Sequence, residues 1–165
     1  MTTSVEVSHE YAHPIETVIG AFTDPDFYLQ KFEGIGARDV EVLASDSADG
    51  VFTIETRRDV PLDVPGTLKT LLGSWTTVIQ NEEWVEGEDG EYLNELEINS
   101  EGVPAVVTGS MTLIPTDEGC INEVVIDIAC SIPLIGRKLE GFVAESTDAQ
   151  LDAEYEFIQE YLDEL

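Results

Sequence analysis

The chain has 165 residues, with 7 Lys and Arg against 35 Asp and Glu, which gives a formal net charge of −28. A field this negative repels phosphate, so we expect neither a nucleic-acid partner nor an anionic membrane surface. The hydrophobic content of 42% is typical of a globular protein, and no apolar run approaches the ~18 residues of a membrane span, so we expect one cytoplasmic domain over residues 1–165.

The first part of the chain predicts one strand followed by two short helices. Residues 5–11 alternate between apolar and polar side chains, which is the period of a half-buried strand. Pro14 is suited to the first turn of a helix. Asp24, directly before Pro25, is a typical N-cap for a second helix, and Gly34 is suited to end it.

From residue 39 onward the hydrophobic period is two, which predicts six further strands. Their expected ranges are 39–44, 51–57, 74–84, 91–98, 105–114 and 121–130. The short turn-rich connections between most of them predict an antiparallel meander. Ser131-Ile132-Pro133 then opens a helix that can run to the C-terminus, about 30 residues and about 45 Å long.

This order of elements predicts an α+β fold in which a long helix covers one face of a curved antiparallel sheet. Three features carry a family resemblance: the segment VSHEYAHPIETVIGAFTDPDFYLQKF, Trp84 at the end of the fourth strand, and the segment SIPLIGRKLEGFVAE at the start of the last helix. With them the chain resembles the START-related, birch-allergen-like superfamily (SRPBCC, the polyketide cyclase and lipid-transport superfamily), and most closely a branch of unknown function.

The resemblance implies a helix-grip fold, in which a curved seven-stranded antiparallel sheet wraps around the long C-terminal helix and encloses an apolar cavity. Two short helices lie between strands one and two in this fold. The glycine-rich turn of the plant members is absent, since Asp49-Gly50 stands alone here. The ligands of the plant members are therefore not carried over to this chain.

The last helix itself hints at a cavity. One stripe of it is bulky at its ends and small in the middle, at Ser146, Ala149 and Ala153. Either large sheet side chains fill the middle or a ligand does. The residues alone favour filling, and the resemblance favours a cavity. The side chains that we expect to line it are His9, Phe52, Ile54, Trp75, Ile79, Leu96, Val107, Met111, Ile126, Phe142, Ser146, Ala149 and Ala153.

Two segments have alternative interpretations. Residues 59–73 combine Pro61, Pro65 and Gly66 with apolar residues that include Leu68 and Leu71, which fits either a lid at the cavity mouth or a permanently packed crossover. The pair Arg57-Arg58 could bind an anionic headgroup. In a chain this acidic, we expect such a pair to find carboxylates instead.

The sequence offers few residues that are suited to catalysis. His9 is the only plausible internal acid or base, and we expect it to be a core histidine with a satisfied hydrogen bond. No metal-ligand cluster or cofactor motif is present in the sequence, so we expect no cofactor. The leading hypothesis is a non-enzymatic protein that binds an apolar or amphipathic small molecule, lipid or polyketide-like. The alternatives are a cyclase or aromatase that uses His9 with Tyr92, and an acidic protein-interaction domain with a closed core.

A second apolar stripe on the last helix raises the question of oligomeric state. It consists of Leu151, Tyr155, Ile158 and Leu162. We expect the sheet to curl over it in a monomer, because the acidic neighbours of the stripe disfavour a homodimer contact. The thiols of Cys120 and Cys130, at opposite ends of one predicted strand, are expected to be free, as in a reducing compartment.

Overall fold

A computed structural model describes residues 2–62, 64 and 66–165. Seven strands and four helices make up this part of the chain. In chain order they are β1 (Thr2–Tyr11), α1 (Ile15–Phe22), α2 (Pro25–Gly34), β2 (Arg38–Ala48), β3 (Val51–Pro61), α3 (Gly66–Leu72), β4 (Trp75–Glu86), β5 (Tyr92–Ser100), β6 (Val106–Pro115), β7 (Cys120–Ala129) and α4 (Gly136–Asp163).

The strands form one antiparallel sheet in the order β1-β7-β6-β5-β4-β3-β2. Strands β2 to β7 form a meander. Strand β1 lies at the edge of the sheet and pairs with β7, so that Val5 lies opposite Ile126. The predicted helix-grip fold is confirmed, with two short helices between β1 and β2 and a long C-terminal helix. Helix α3 is an addition, since we expected no helix between residues 59 and 73.

The two short helices form where their start signals predict them. The Asp24 carboxylate accepts a hydrogen bond from the backbone N–H of Asp26 at 3.0 Å, and Pro25 occupies the first turn. This cap satisfies one of the amide groups that have no partner at a helix start. The Tyr28 hydroxyl donates to the backbone oxygen of Phe22 at 2.8 Å, which fixes α2 against α1.

Helix α4 has 28 residues and begins at Gly136, a few residues after the predicted start. Near its N-terminus the Glu140 carboxylate accepts hydrogen bonds from the Thr3 hydroxyl at 2.9 Å and from the backbone N–H of Cys130 at 3.0 Å. Farther along, the Tyr155 hydroxyl donates to the backbone oxygen of Glu10 at 2.7 Å. These contacts hold the helix along β1 and the end of β7.

Two hydrophobic clusters lie under α4. The larger one is rich in aromatic side chains and includes Phe22, Phe27 and Trp84. The smaller one is aliphatic and lies on β5, β6 and β7, with Val124 and Ile128 among its members. The second apolar stripe of α4 points into this interior, where Ile158 and Leu162 are buried. The sheet and the short helices therefore cover that stripe within a single chain.

Candidate functional site

Strand β4 turns polar side chains toward the interior. Its buried side chains are Thr76, Val78, Gln80, Glu82 and Trp84. The expectation that Trp75 and Ile79 line the interior is wrong, because they alternate with these residues and lie on the outer face. Trp75 is 40% exposed and stacks with the Arg38 guanidinium, whose carbon lies 3.5 Å from a ring centre. The prediction placed Trp75 and Ile79 on the inner face of β4, and the observed inward residues lie one position farther along the strand.

A small internal cavity of about 80 Å³ lies between the sheet, the short helices and α4. Four of the expected residues line it, and they are His9, Leu96, Met111 and Ile126. Polar side chains that we did not predict also line it, among them Gln80, Glu82 and Asn122. At ~30 Å³ per water molecule, this cavity holds a few waters or one end of a ligand.

The Glu82 carboxylate is the polar centre of this cavity. It is 5% exposed and accepts hydrogen bonds from Gln80 Nε2 at 2.7 Å and from Asn94 Nδ2 at 3.1 Å. Two neutral amides thus replace part of the water that a buried carboxylate loses. The Tyr28 oxygen lies 3.5 Å from the same carboxylate, and burial together with this negative charge raises the pKa of Tyr28 well above its usual range. Tyr28 therefore stays protonated.

A buried ion pair connects the two helices above the cavity. Lys31 Nζ of α2 lies 2.9 Å from a carboxylate oxygen of Glu154 on α4, and the two side chains are only 9% and 14% exposed. The ammonium group also lies 4.6 Å from the centre of the Phe32 ring. In this desolvated setting each charge depends on the other, because an unpaired buried ion is costly.

Arg58 is a buried cation of a different kind. Its side chain is 2% exposed, and the guanidinium carbon lies 3.9 Å from the centre of the Phe32 ring. Among residues 2–62, 64 and 66–165, Nε and Nη1 of Arg58 have no hydrogen-bond partner. Burial lowers the pKa of Arg58 to about 10, against the opposing effect of Glu154 and Glu82, so the group stays charged at neutral pH. The expectation that this arginine pairs with carboxylates is wrong for the chain as described.

Two further spaces meet at Arg58. One, of about 100 Å³, has mostly apolar walls from β3 to β6 and α4, and Val107, Phe142 and Ser146 of the expected residues line it. The other, of about 370 Å³, is lined by Phe142, Ser146, Ala149 and Ala153 of α4. Ser146 and Ala149 are exposed, so the larger space opens to solvent. Arg58 lines both, and the 100 Å³ space shares Thr147 and Gln150 with the small cavity.

Two expected residues belong to the packed core. Phe52 and Ile54 are buried in the aromatic cluster, where the Phe52 ring centre lies 6.4 Å from that of Tyr28. They share the inward face of β3 with Thr56 and Arg58. The spacing of two residues from Phe52 and Ile54 was the signal in the sequence that could have placed Arg58 inside.

His9 is 8% exposed and stacks on Tyr155, with ring centres 4.2 Å apart. This stacking replaces the hydrogen bond that we expected, since the imidazole has no such partner in the part of the chain that is described. Burial lowers the pKa of His9, against the opposing charges of Asp152 and Glu154, so the ring is neutral at pH 7. Tyr92 lies at the edge of the aromatic cluster, whereas Tyr11 lines the small cavity with His9.

The segment over residues 59–73 contributes to the walls at Arg58. Val60, Pro61, Leu62 and Val64 line the 100 Å³ space. Pro65 and the side chains of Leu68 and Leu71 lie outside the described residues. A lid and a permanent crossover therefore both remain predictions for this segment.

Within the described residues, no group of three or more His, Cys, Asp or Glu side chains is arranged to hold a metal ion. None of the helices in the same residues has the length and apolarity needed to cross a membrane.

Comparisons with solved structures agree with the observed fold. A protein of Thermus thermophilus, TTHA0849, is 19% identical over 96% of this chain and 97% of its own, with a TM-score of 0.58. Norcoclaurine synthase of Thalictrum flavum, in complex with dopamine and hydroxybenzaldehyde, is 14% identical over 97% and 88%, with a TM-score of 0.59. The protein Ara h 8.0201 is 11% identical over 96% and 98%, with a TM-score of 0.60.

At these identities the likeness shows the fold alone, and it is the birch-allergen-like helix-grip fold that the sequence resemblance implies. No curated protein matches the chain. One family model matches residues 6–162, nearly the whole length. The chain therefore belongs to the family described as "Protein of unknown function (DUF2505)".

Proposed function

We propose that the chain binds an amphipathic small molecule in the spaces between the sheet and α4. One observation carries this proposal: apolar walls surround buried polar atoms that have no partner within the described residues. These atoms include Nε and Nη1 of Arg58, Gln80 Oε1 and Asn122 Oδ1. A core built only for stability would pair such atoms or replace them with apolar groups.

The dimensions suit a small molecule. The space of about 370 Å³ lies in the range of ~300–1,000 Å³ that is usual for ligand pockets, and the neighbouring 100 Å³ space extends it inward. The inward extension is lined by apolar side chains such as Val78, Ile98 and Val107. Transfer of an apolar group into it gains roughly 25 cal/mol for each Å² removed from water.

The polar atoms provide orientation. A buried donor or acceptor without a partner costs ~1–3 kcal/mol, and a ligand that supplies the partner recovers this free energy. The Thalictrum flavum enzyme on the same fold holds dopamine and hydroxybenzaldehyde, which combine an apolar ring with polar groups. That precedent supports a small molecule of mixed polarity here, of lipid or polyketide-like character.

A library screen tests the proposal. Lipids, fatty acids and aromatic compounds are screened against the purified chain by ligand-observed NMR, and hits are titrated by calorimetry. We expect at least one saturable ligand with one site per chain. A screen in which no compound binds saturably would contradict the proposal.

His9 and Tyr11 support a second candidate, acid–base catalysis on the bound molecule. Both line the small cavity, the imidazole is neutral at pH 7, and the Tyr11 hydroxyl has no partner in the described part of the chain. If a ligand is turned over, His9→Gln should lower the rate by ~10²-fold or more while binding persists. An unchanged rate would remove His9 from the mechanism.

A cytoplasmic location, a monomeric state and the lack of a nucleic-acid partner remain part of the proposal. They rest on the charge of −28 and on two cysteines, Cys120 and Cys130, that are free thiols.

A further inference from the structure

We propose that the ligand is an anionic amphiphile, a monocarboxylate whose carboxylate is bound by the Arg58 guanidinium and whose apolar part occupies the adjoining 100 Å³ space. This inference rests on the proposed function and names the class of molecule that the site selects.

Arg58 has two buried hydrogen-bond donors, Nε and Nη1, that lack an acceptor among the described residues. Its side chain is only 2% exposed, and its Nε and Nη1 find no partner in residues 2–62, 64 and 66–165. A buried charge is normally paired and hydrogen-bonded, because the desolvation of an unpaired ion is unfavourable. The ring of Phe32, whose centre lies 3.9 Å from the guanidinium carbon, provides a cation–π contact for the charge.

The carboxylates near Arg58 have other partners. Glu82 accepts hydrogen bonds from the amides of Gln80 and Asn94, and Glu154 pairs with Lys31 at 2.9 Å. Both carboxylates act on Arg58 only from a distance. An acceptor for Arg58 therefore has to come from outside the set of buried carboxylates.

Arg58 lies where the two spaces meet. It lines the 370 Å³ space, which opens to solvent beside Ala149, and also the apolar 100 Å³ space. A ligand that enters from the solvent side can place its apolar part against Val78 and Val107 and leave its polar end at the guanidinium.

Charge selects the carboxylate among possible polar ends. A guanidinium presents paired N–H donors in the geometry of a carboxylate, and such charge-assisted hydrogen bonds are about twice as strong as neutral ones. A phosphate dianion is disfavoured, because one guanidinium cannot balance two charges next to Glu82 and Glu154. An alcohol offers one neutral oxygen instead of two charged ones, so it neither matches the paired donors nor balances the charge of the guanidinium.

The test compares octanoate with octan-1-ol, which share an apolar chain and differ in the polar end. Calorimetric titrations at one high KCl concentration use the parent, Arg58→Met and Arg58→Lys proteins. We expect the parent to bind octanoate at least ~10-fold more tightly than octan-1-ol. Arg58→Met should abolish the preference, because octanoate loses a charge-assisted contact and octan-1-ol at most a neutral one, and Arg58→Lys should retain part of the preference.

The possible results separate the carboxylate inference from the proposed function. Equal affinity of the parent for both compounds, or an octanoate preference that persists in Arg58→Met, overturns the carboxylate inference and leaves the proposed function standing. If neutral library compounds bind saturably but octanoate does not bind, the carboxylate inference is likewise overturned and the proposed function stands. If no compound binds, both claims fail. The comparison of the two compounds on the parent remains valid even if Arg58→Met does not fold.

Discussion

The imidazole of His9 stacks on the phenol ring of Tyr155 with their centres 4.2 Å apart and their planes within 7° of each other. This contact joins β1 to α4 at the wall of the small cavity. The Tyr155 hydroxyl reinforces it by donating to the backbone oxygen of Glu10, the neighbour of His9. His9, a residue that titrates, therefore both holds β1 against α4 and lines the candidate site.

Replacement of His9 by Gln should remove a pH-dependent part of the stability. Burial holds the pKa of His9 below its usual value of 6.5, so the unfolded chain takes up this proton first as the pH falls. The contribution of the neutral ring is complete above pH 6.5 and is lost as the pH falls below that value. In urea denaturation at several pH values, the free energy of unfolding of the parent should fall relative to that of His9→Gln as the pH is lowered below 6.5. Parallel pH profiles for the two proteins would contradict this assignment.

The Lys31–Glu154 pair should be strongly coupled. Lys31→Met leaves the Glu154 carboxylate largely buried without its partner, and the expected loss is about 3 kcal/mol of the free energy of unfolding. The double variant Lys31→Met/Glu154→Leu should recover much of that loss. Lys69→Met, at an exposed position on α3, is the control and should change stability by less than ~0.5 kcal/mol. Additive effects of the two substitutions at the pair would show that it is not coupled.

Ala149→Phe should block the ligand space without harming the fold. Ala149 is exposed on α4 and lines the 370 Å³ space beside Arg58, so a phenyl ring there occupies the route to the guanidinium. We expect octanoate affinity to fall at least ~10-fold while the free energy of unfolding stays within ~0.5 kcal/mol of the parent. Gln159→Phe, at an exposed position on the same helix, serves as the control. Equal affinity for all three proteins would place the ligand elsewhere.

Stability should rise with salt. At a net charge of −28, repulsion among carboxylates destabilises the compact state, and added ions screen it. We expect the Tm to climb between low and molar KCl in thermal unfolding followed by circular dichroism. A flat or falling curve would remove the argument that the acidity suits the protein to high salt.

The elements of the fold could be predicted because their signals are local. Alternation predicted the strands to within a few residues, and Asp24 with Pro25 predicted the start of α2. Helix α3 was missed because it is short and lies in a segment rich in Pro and Gly, although Leu68, Leu71 and Leu72 have the i, i+3, i+4 spacing of a helix.

The site could be predicted only in part. Leu96, Val107 and Met111 follow the rule that apolar residues face the interior, and they line its spaces. On β4 that rule fails, because buried Gln80 and Glu82 alternate with outward Trp75 and Ile79. Local rules fail most often where polar groups are buried for a function. Neither the partnering of Glu82 nor the isolation of Arg58 is visible in the sequence, since both depend on contacts between strands.

The most direct test of the account is a methyl-resolved NMR titration of the parent with octanoate. Val78 and Val107 line the apolar space beside Arg58, whereas Val106 is 60% exposed on the same strand as Val107. We expect the methyl signals of Val78 and Val107 to shift and saturate with one Kd, while those of Val106 stay unchanged. If octanoate leaves Val78 and Val107 unaffected, or shifts only exposed methyl groups such as those of Val106, the interior is not the binding site.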